Sequence, residues 1–299
     1  MESDRDHRFG GDWTEDKLKV LRLYLQTYAK ALKNEQFEKY YIDAFAGTGY
    51  REAVRETKDP QYPDFIEELA EDEPKALLDG SARIALEVDP SFDKFFFIEK
   101  NSARCQKLER LKLDFPEKTD RINILQGDSN TILRDFCSKQ QWGGKRAVLF
   151  LDPYGMQVEW KTLQEIAKTK AIDLWILFPV GQAVTRLLPR DGNVPPEWEK
   201  RLTIFFGTAE WREELYQVSE VEDLFGPQVI VEKQPIDAIG RYFVKRLKEE
   251  FAAVAEMPRT LHNSTGRPLF LLCFAVSNAR AVHVAMPIAN HILGMNDVH

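Results

Sequence analysis

Cysteine is scarce and scattered in this 299-residue chain. Cys105, Cys137 and Cys273 are odd in number, far apart and without a CxxC pair, so they encode neither a disulfide framework nor a zinc or iron–sulfur site. The five histidines form no HxxxH pattern. His283 and His291 fall in the last helical segment and read as ordinary helix residues, so no metal is expected. No run reaches the roughly eighteen apolar residues of a membrane span. Internal repeats and low-complexity tracts are absent as well. Met1 to Asp12 is charged and lacks an apolar signal stretch, so it is expected to be a disordered tail and the protein to be cytoplasmic, with no membrane partner.

A concentrated basic cluster is also missing. The net charge is −7, unevenly spread, because Arg51 to Gly80 holds ten acids against four bases and leaves a body near neutrality. Charge alone therefore neither supports nor excludes nucleic acid as a partner.

What is present is enough apolar content, 43%, for a single packed α/β domain spanning residues 1–299 with inserted segments. Leu18, Leu21, Leu25, Tyr28 and Leu32 recur at three- and four-residue steps, which predicts an amphipathic helix over 14–33 with Thr14 as its N-cap. Five apolar runs follow, at 39–44, 94–98, 122–126, 147–151 and 173–178, as in a mostly parallel sheet covered on both faces. Arg51 to Gly80, with three prolines and the acidic run, reads as an insertion before a helix at Ser81 to Val88. It serves either as a solvated excursion or as a lid or docking face. Val180 to Pro235 reads as a second, helical insertion, with short helices around Trp198–Phe206 and Trp211–Val218. Ile236 to Phe251 is an amphipathic helix. The end of the chain reads strand, turn, strand, helix, so that a hairpin closes the sheet.

Each of the first four runs ends in a turn that can carry chemistry. Asp43-x-Phe45-x-Gly47-x-Gly49 places glycines where backbone N–H groups can approach a ligand. Phe95-Phe96-Phe97-Ile98-Glu99 ends in an acid fifty residues beyond Gly49. Without the thirty-residue insertion that interval is twenty, the distance at which a ribose-binding acid follows a glycine turn. Asp128, after the third run, could accept from an exocyclic amine or cap the helix that begins at Ser129. Asp152-Pro153-Tyr154-Gly155 joins an acceptor, a fixed bend and a flat aromatic face. It could orient a planar amine, or it is a strand-end turn with a packed tyrosine.

The pairing of Asp43-x-Phe45-x-Gly47-x-Gly49 with Asp152-Pro153-Tyr154-Gly155 resembles motifs I and IV of class I S-adenosylmethionine-dependent methyltransferases, especially those acting on exocyclic amines. The usual fourth motif has two prolines, where this chain has one proline and a glycine in last place. Thr14-x-x-Lys17-x-x-x-Leu21-x-x-Tyr24-Leu25, Phe92-Asp93-Lys94 to Ile98-Glu99-Lys100, and Pro268-Leu269-Phe270 to Ala275-Val276-Ser277-Asn278 resemble the three-Cys-motif partner proteins, TcmP. That family is similar to class I methyltransferases and is paired by name with a radical-S-adenosylmethionine-like protein. The resemblance implies a Rossmann-like class I methyltransferase fold and S-adenosyl-L-methionine as cofactor. It places Asp43, Phe45, Gly47 and Gly49 along the methionine end, Glu99 on the ribose, Asp128 on the adenine amine, and Asp152, Pro153 and Tyr154 at the acceptor. Lys17 is a candidate extra contact that reads more simply as a snorkelling surface lysine.

Three functions fit these residues. The first is methyl transfer to an amine such as a nucleic-acid base. The second is a non-catalytic S-adenosylmethionine-binding subunit docked to a three-Cys-motif partner. The third is a nicotinamide dehydrogenase, which would leave Asp152-Pro153-Tyr154 without a role.

Overall fold

A computed structural model describes residues 12–47, 80–223 and 226–295. Gly49, nearly all of the acidic insertion and all but the end of the expected N-terminal tail lie outside these residues. The parallel strands are β1 (Glu38–Asp43), β2 (Lys94–Glu99), β3 (Ile122–Gln126), β4 (Lys145–Leu151) and β5 (Ile172–Phe178). Each coincides within two residues with an apolar run. β5 is buried at all seven positions, which is why it reads as a continuous apolar run and not as an alternating one.

The helices are α1 (Asp12–Ala31), α2 (Ser81–Glu87), α3 (Ser102–Leu108), α4 (Leu111–Asp114), α5 (Ser129–Lys139), α6 (Trp160–Lys168), α7 (Pro196–Phe206), α8 (Trp211–Leu215), α9 (Ile236–Glu250) and α10 (Val282–Leu293). Three further antiparallel strands, β8 (Ala253–Val254), β9 (Arg259–His262) and β10 (Pro268–Val276), complete the main sheet. Its order is β3-β2-β1-β4-β5-β10-β8, with β9 also paired to β10. β10 runs antiparallel to β5. This is the expected Rossmann-like methyltransferase sheet, mostly parallel and closed by a C-terminal hairpin. An all-parallel dinucleotide-binding sheet would place a parallel strand next to β5.

The sheet separates two cores. On one face Tyr24 of α1 packs against Trp175 and Phe274, with ring centroids at 5.1 and 5.0 Å. On the other, Phe178 stacks on Phe243 of α9 at 4.1 Å. The Tyr24 hydroxyl donates to buried Asp173 at 2.8 Å, anchoring α1 to β5. Thr14 does not cap α1 as expected. The helix starts two residues earlier, and the Thr14 hydroxyl is buried within its first turn without a hydrogen-bond partner among the described residues.

The segment 180–235 departs from the helical expectation in its second half. Trp211, Leu215 and Val218 have helical spacing, yet α8 stops at Leu215 and the chain continues as β6 (Tyr216–Asp223), paired with β7 (Gly226–Lys233) in a separate two-stranded antiparallel sheet. Alternating β-branched residues around Val218 and Val229–Val231 favour the extended chain, and pairing with β7 overrides the local helical pattern.

Candidate functional site

The carboxyl ends of β1, β2, β3 and β4 lie along one edge of the sheet, and the strand order reverses between β1 and β4, where open α/β sheets form their crevice and bind ligands. Its walls begin in the register of the sheet, because Asp43 ends β1 opposite Phe97 of β2 and Phe150 of β4.

After β1 the chain leaves the sheet through Ala44, whose N–H donates to Phe150, and Ala46, whose N–H donates to Ile98. Gly47 follows with φ of 61° and, among the described residues, nothing within 4 Å of the place a Cβ would take. The left-handed conformation favours glycine, and the open space on that side is what a ligand approaching the backbone requires. Phe45 is partly buried against the core below.

Asp43 does not line the crevice as the resemblance implies. It is fully buried, and its carboxylate accepts from Ser81 Oγ at 2.5 Å, from the Phe45 N–H at 3.3 Å and from the Tyr41 hydroxyl at 3.4 Å. Burial pushes its pKa up to about 7; the Ser81 hydroxyl opposes that rise and the charge of Asp152 adds to it. Asp43 therefore holds the glycine turn and the start of α2 in place, and reaches a ligand only through the loop.

Glu99 ends β2 and is buried, with Oε1 accepting the Asn101 N–H at 2.8 Å. Its second oxygen takes no hydrogen bond among the described residues. Arg104 of α3 lies 4.0 Å from Oε1, and its guanidinium also sits over the Tyr154 ring at 5.9 Å. Arg104 thus links the ends of β2 and β4, a relation between distant positions that no local pattern reveals.

Asp128 caps α5, its Oδ1 accepting from Thr131 N at 2.9 Å and Thr131 Oγ1 at 3.0 Å. Of the two roles open to it, the helix cap is the one formed. Next to it, Ser129 donates to the Ala44 carbonyl, and buried Asn130 accepts the Glu159 N–H and the Thr162 hydroxyl while donating to the Gln157 carbonyl at 2.8 Å. The start of α5 therefore fastens both the β1 turn and the loop after β4. Sequence reasoning passed over Ser129 and Asn130, whose only local signal is their position after the Asp128 cap.

Asp152-Pro153-Tyr154 emerges from β4 beside this frame. Pro153 is buried, Tyr154 is 45% exposed, and the Asp152 side chain is 26% exposed. Lys17 is not a surface lysine. It is buried in α1, with Nζ 2.5 Å from Asp152 Oδ2 and 4.7 Å from the centroid of the Trp13 ring. Asp152 Oδ1 remains without a hydrogen bond among the described residues. One oxygen of the carboxylate is thus fixed by a cation, and the other is available for an N–H or O–H donor.

No protein-family model matches the chain, and no curated protein matches it in sequence. Solved structures match the chain only at low similarity. Protein LPL1258 from Legionella pneumophila is 13% identical over 78% of this chain and 91% of its own, with a TM-score of 0.38. A methyltransferase from Geobacter sulfurreducens is 14% identical over 73% and 80%, at 0.30. Spermidine synthase from Thermotoga maritima is 8% identical over 96% and 72%, at 0.37. Likeness of this degree identifies no activity, and the fold is read from the strand order itself.

Proposed function

We propose that this chain is an S-adenosylmethionine-dependent methyltransferase acting on an amine, with the exocyclic amine of a nucleic-acid base as the acceptor class. The observation that carries the reading is the meeting of Gly47, Glu99 and Asp152-Pro153-Tyr154 at the strand-order reversal of a sheet closed by an antiparallel strand. The antiparallel β10 also speaks against the nicotinamide reading.

The residues present fit the cofactor in two respects. Among the described residues nothing fills the space beside Gly47, and one carboxylate oxygen of Glu99 is left for a vicinal diol. When bound, S-adenosylmethionine supplies an electrophilic methyl group. Every other part of the task falls to the protein. Glu99 fixes the ribose hydroxyls. Asp43, through Phe45 N–H and Ser81, keeps the turn in the shape that presents Gly47. Asp128, committed through Oδ1 to its helix, has its second oxygen for the adenine amine.

At the acceptor side, Asp152 Oδ1 accepts an N–H of the amine and Tyr154 presents its ring to a planar group. Holding the nitrogen in line in a partly desolvated crevice supplies the positioning on which such a transfer depends. Calorimetric titration with S-adenosylhomocysteine, followed by a labelled-methyl assay over DNA, RNA and amine small molecules, tests the proposal. Binding that is lost in a Gly47→Arg variant supports the cofactor site, and no binding by the folded protein would sink it.

A second reading is an S-adenosylmethionine-binding subunit acting with a three-Cys-motif, radical-S-adenosylmethionine-like partner. One observation favours it: the β6–β7 hairpin exposes Val218 and Val229, apolar residues with no core to join. Co-purification with such a partner, without methyl transfer by the isolated chain, is its signature.

A further inference from the structure

The β6–β7 hairpin projects from a fixed base. Tyr216 donates its hydroxyl to the Pro189 carbonyl at 2.9 Å. Lys233 donates to the carbonyls of Thr185 at 3.0 Å and Leu188 at 2.8 Å. These contacts hold the base of the ladder, where Tyr216 faces Lys233, against the loop that follows β5. Beyond them the strands pair regularly from Tyr216 opposite Lys233 to Asp223 opposite Gly226, with no bulge.

Strand edges that face solvent are normally blunted by lysine, proline, bulges or short length. β7 carries Pro227 and Lys233, whereas the eight residues of β6, YQVSEVED, contain neither proline nor lysine. The hairpin is a sheet of two strands, so the outer edge of β6 has no ladder partner among the described residues. One face of this ladder carries Val218 and Val229, each 64% exposed. Glu220 and Glu222 follow Val218 along the same face of β6 and are exposed too. From Gln217 to Glu232 the sequence holds four acids and no base.

We propose that the outer edge of β6 is a docking site for an extended, basic segment of a partner protein, which adds as a third strand. Backbone hydrogen bonds to β6 would supply affinity. Alternate residues of the added strand would all face Val218, Glu220 and Glu222, so lysine or arginine there would meet the two glutamates while their aliphatic stems cover Val218, and the valines between would lie on the other face, beside Ser219. The same charges tell against nucleic acid and against a second copy of this hairpin, which would set acid against acid. The site lies outside the crevice, and the proposal stands whether or not the chain transfers methyl groups.

Fluorescence anisotropy with three labelled nine-residue peptides tests it: one alternating Lys and Val, one alternating Glu and Val, and a helix-forming Lys/Ala peptide of the same charge as the first. The Lys/Val peptide is expected to bind at least about tenfold more tightly than the Lys/Ala peptide, and more weakly as salt is raised. The Glu/Val peptide is expected not to bind. Glu220→Lys/Glu222→Lys should weaken the Lys/Val complex at least about tenfold and Val218→Ser, separately, several-fold, with unchanged circular dichroism. No binding of the Lys/Val peptide, equal binding of the Lys/Ala peptide, or unchanged affinity in both folded variants overturns the proposal. Concentration-dependent dimerisation abolished by Val218→Ser/Val229→Ser would overturn it too, because the occupant would then be a second copy.

Discussion

Lys17 and Asp152, 135 positions apart, meet as an ion pair of 2.5 Å between the first helix and the end of β4. The contact makes α1 part of the crevice wall as well as a cover for the sheet. It also sets Asp152 apart from Asp43, the other aspartate at a strand end of the site. Asp43 is shut away under the Ser81 and Tyr41 hydroxyls and the Phe45 N–H, whereas Asp152 is held by a cation and still reaches solvent.

Replacing Lys17 by Met separates those roles. The substitution keeps most of the stem that packs in α1 but leaves Asp152 without its counter-charge. Loss of one partner of a buried pair is costly, here about 1–3 kcal/mol because Asp152 is partly solvated. Methyl transfer should fall at least tenfold (about 1.4 kcal/mol), while affinity for S-adenosylhomocysteine stays within a few fold. Urea unfolding of the single variants and of Lys17→Met/Asp152→Asn completes the test, with the double variant expected to recover part of the stability. Full turnover by Lys17→Met would remove Lys17 from the site.

Gly47 can be tested against a glycine of like geometry elsewhere. Gly47 and Gly144 both have positive φ, 61° and 72°, with nothing within 4 Å, among the described residues, of where a side chain would begin. Gly144, however, precedes β4, at the opposite end of the strand from the crevice. A β-branched residue in this conformation costs about 1–2 kcal/mol. Gly47→Val and Gly144→Val should therefore lose similar stability, yet only Gly47→Val should lose S-adenosylhomocysteine binding. Equal affinities in the two variants would show that the β1 turn is not a ligand cradle.

Glu99→Gln probes the ribose position with little structural change, because the amide oxygen can still accept the Asn101 N–H. A charge-assisted hydrogen bond to a hydroxyl is worth about 1.5–3 kcal/mol. The variant should bind S-adenosylhomocysteine roughly tenfold to a hundredfold more weakly, with its thermal midpoint unmoved. An analogue lacking both ribose hydroxyls should bind the two proteins alike, and discrimination between them would refute the assignment.

The sheet and the positions of its turn residues were legible because each parallel strand is a short apolar run that ends in a turn. The Lys17–Asp152 pair was not legible. Lys17 lies in an amphipathic helix where a lysine beside apolar neighbours ordinarily reaches for solvent, and only the packing of α1 over the strand ends turns it inward. The helical reading of Trp211–Val218 failed for a related reason, since its three apolar residues satisfy a helical period while the competing strand depends on a partner ten or more residues further on. Asp128 shows the opposite case, in which a local rule for helix caps correctly described the contact that forms.

Asp173 offers a test of stability that is independent of the crevice. It is buried on β5, and burial raises its pKa to about 7; the hydrogen bond from Tyr24 and the charge of Arg146 oppose the rise. Tyr24 and Tyr28, the other titratable groups beside it, are themselves pushed upward by burial and stay neutral. In the unfolded chain an aspartate ionises near the ordinary value of 3.8. Below that pH both states hold the proton and the contribution to stability is complete. Between pH 4 and 7 the unfolded chain has released its proton while the folded one retains it, so stability falls as pH rises, and it levels off above 7. Asn at this position cannot titrate and still accepts from Tyr24. Asp173→Asn should therefore gain on the wild type as pH rises from 5 to 8, by on the order of 2–4 kcal/mol, with no further gain above pH 8. Urea midpoints at half-unit pH steps measure the difference, and parallel profiles for the two proteins would show that Asp173 keeps its charge in the folded state.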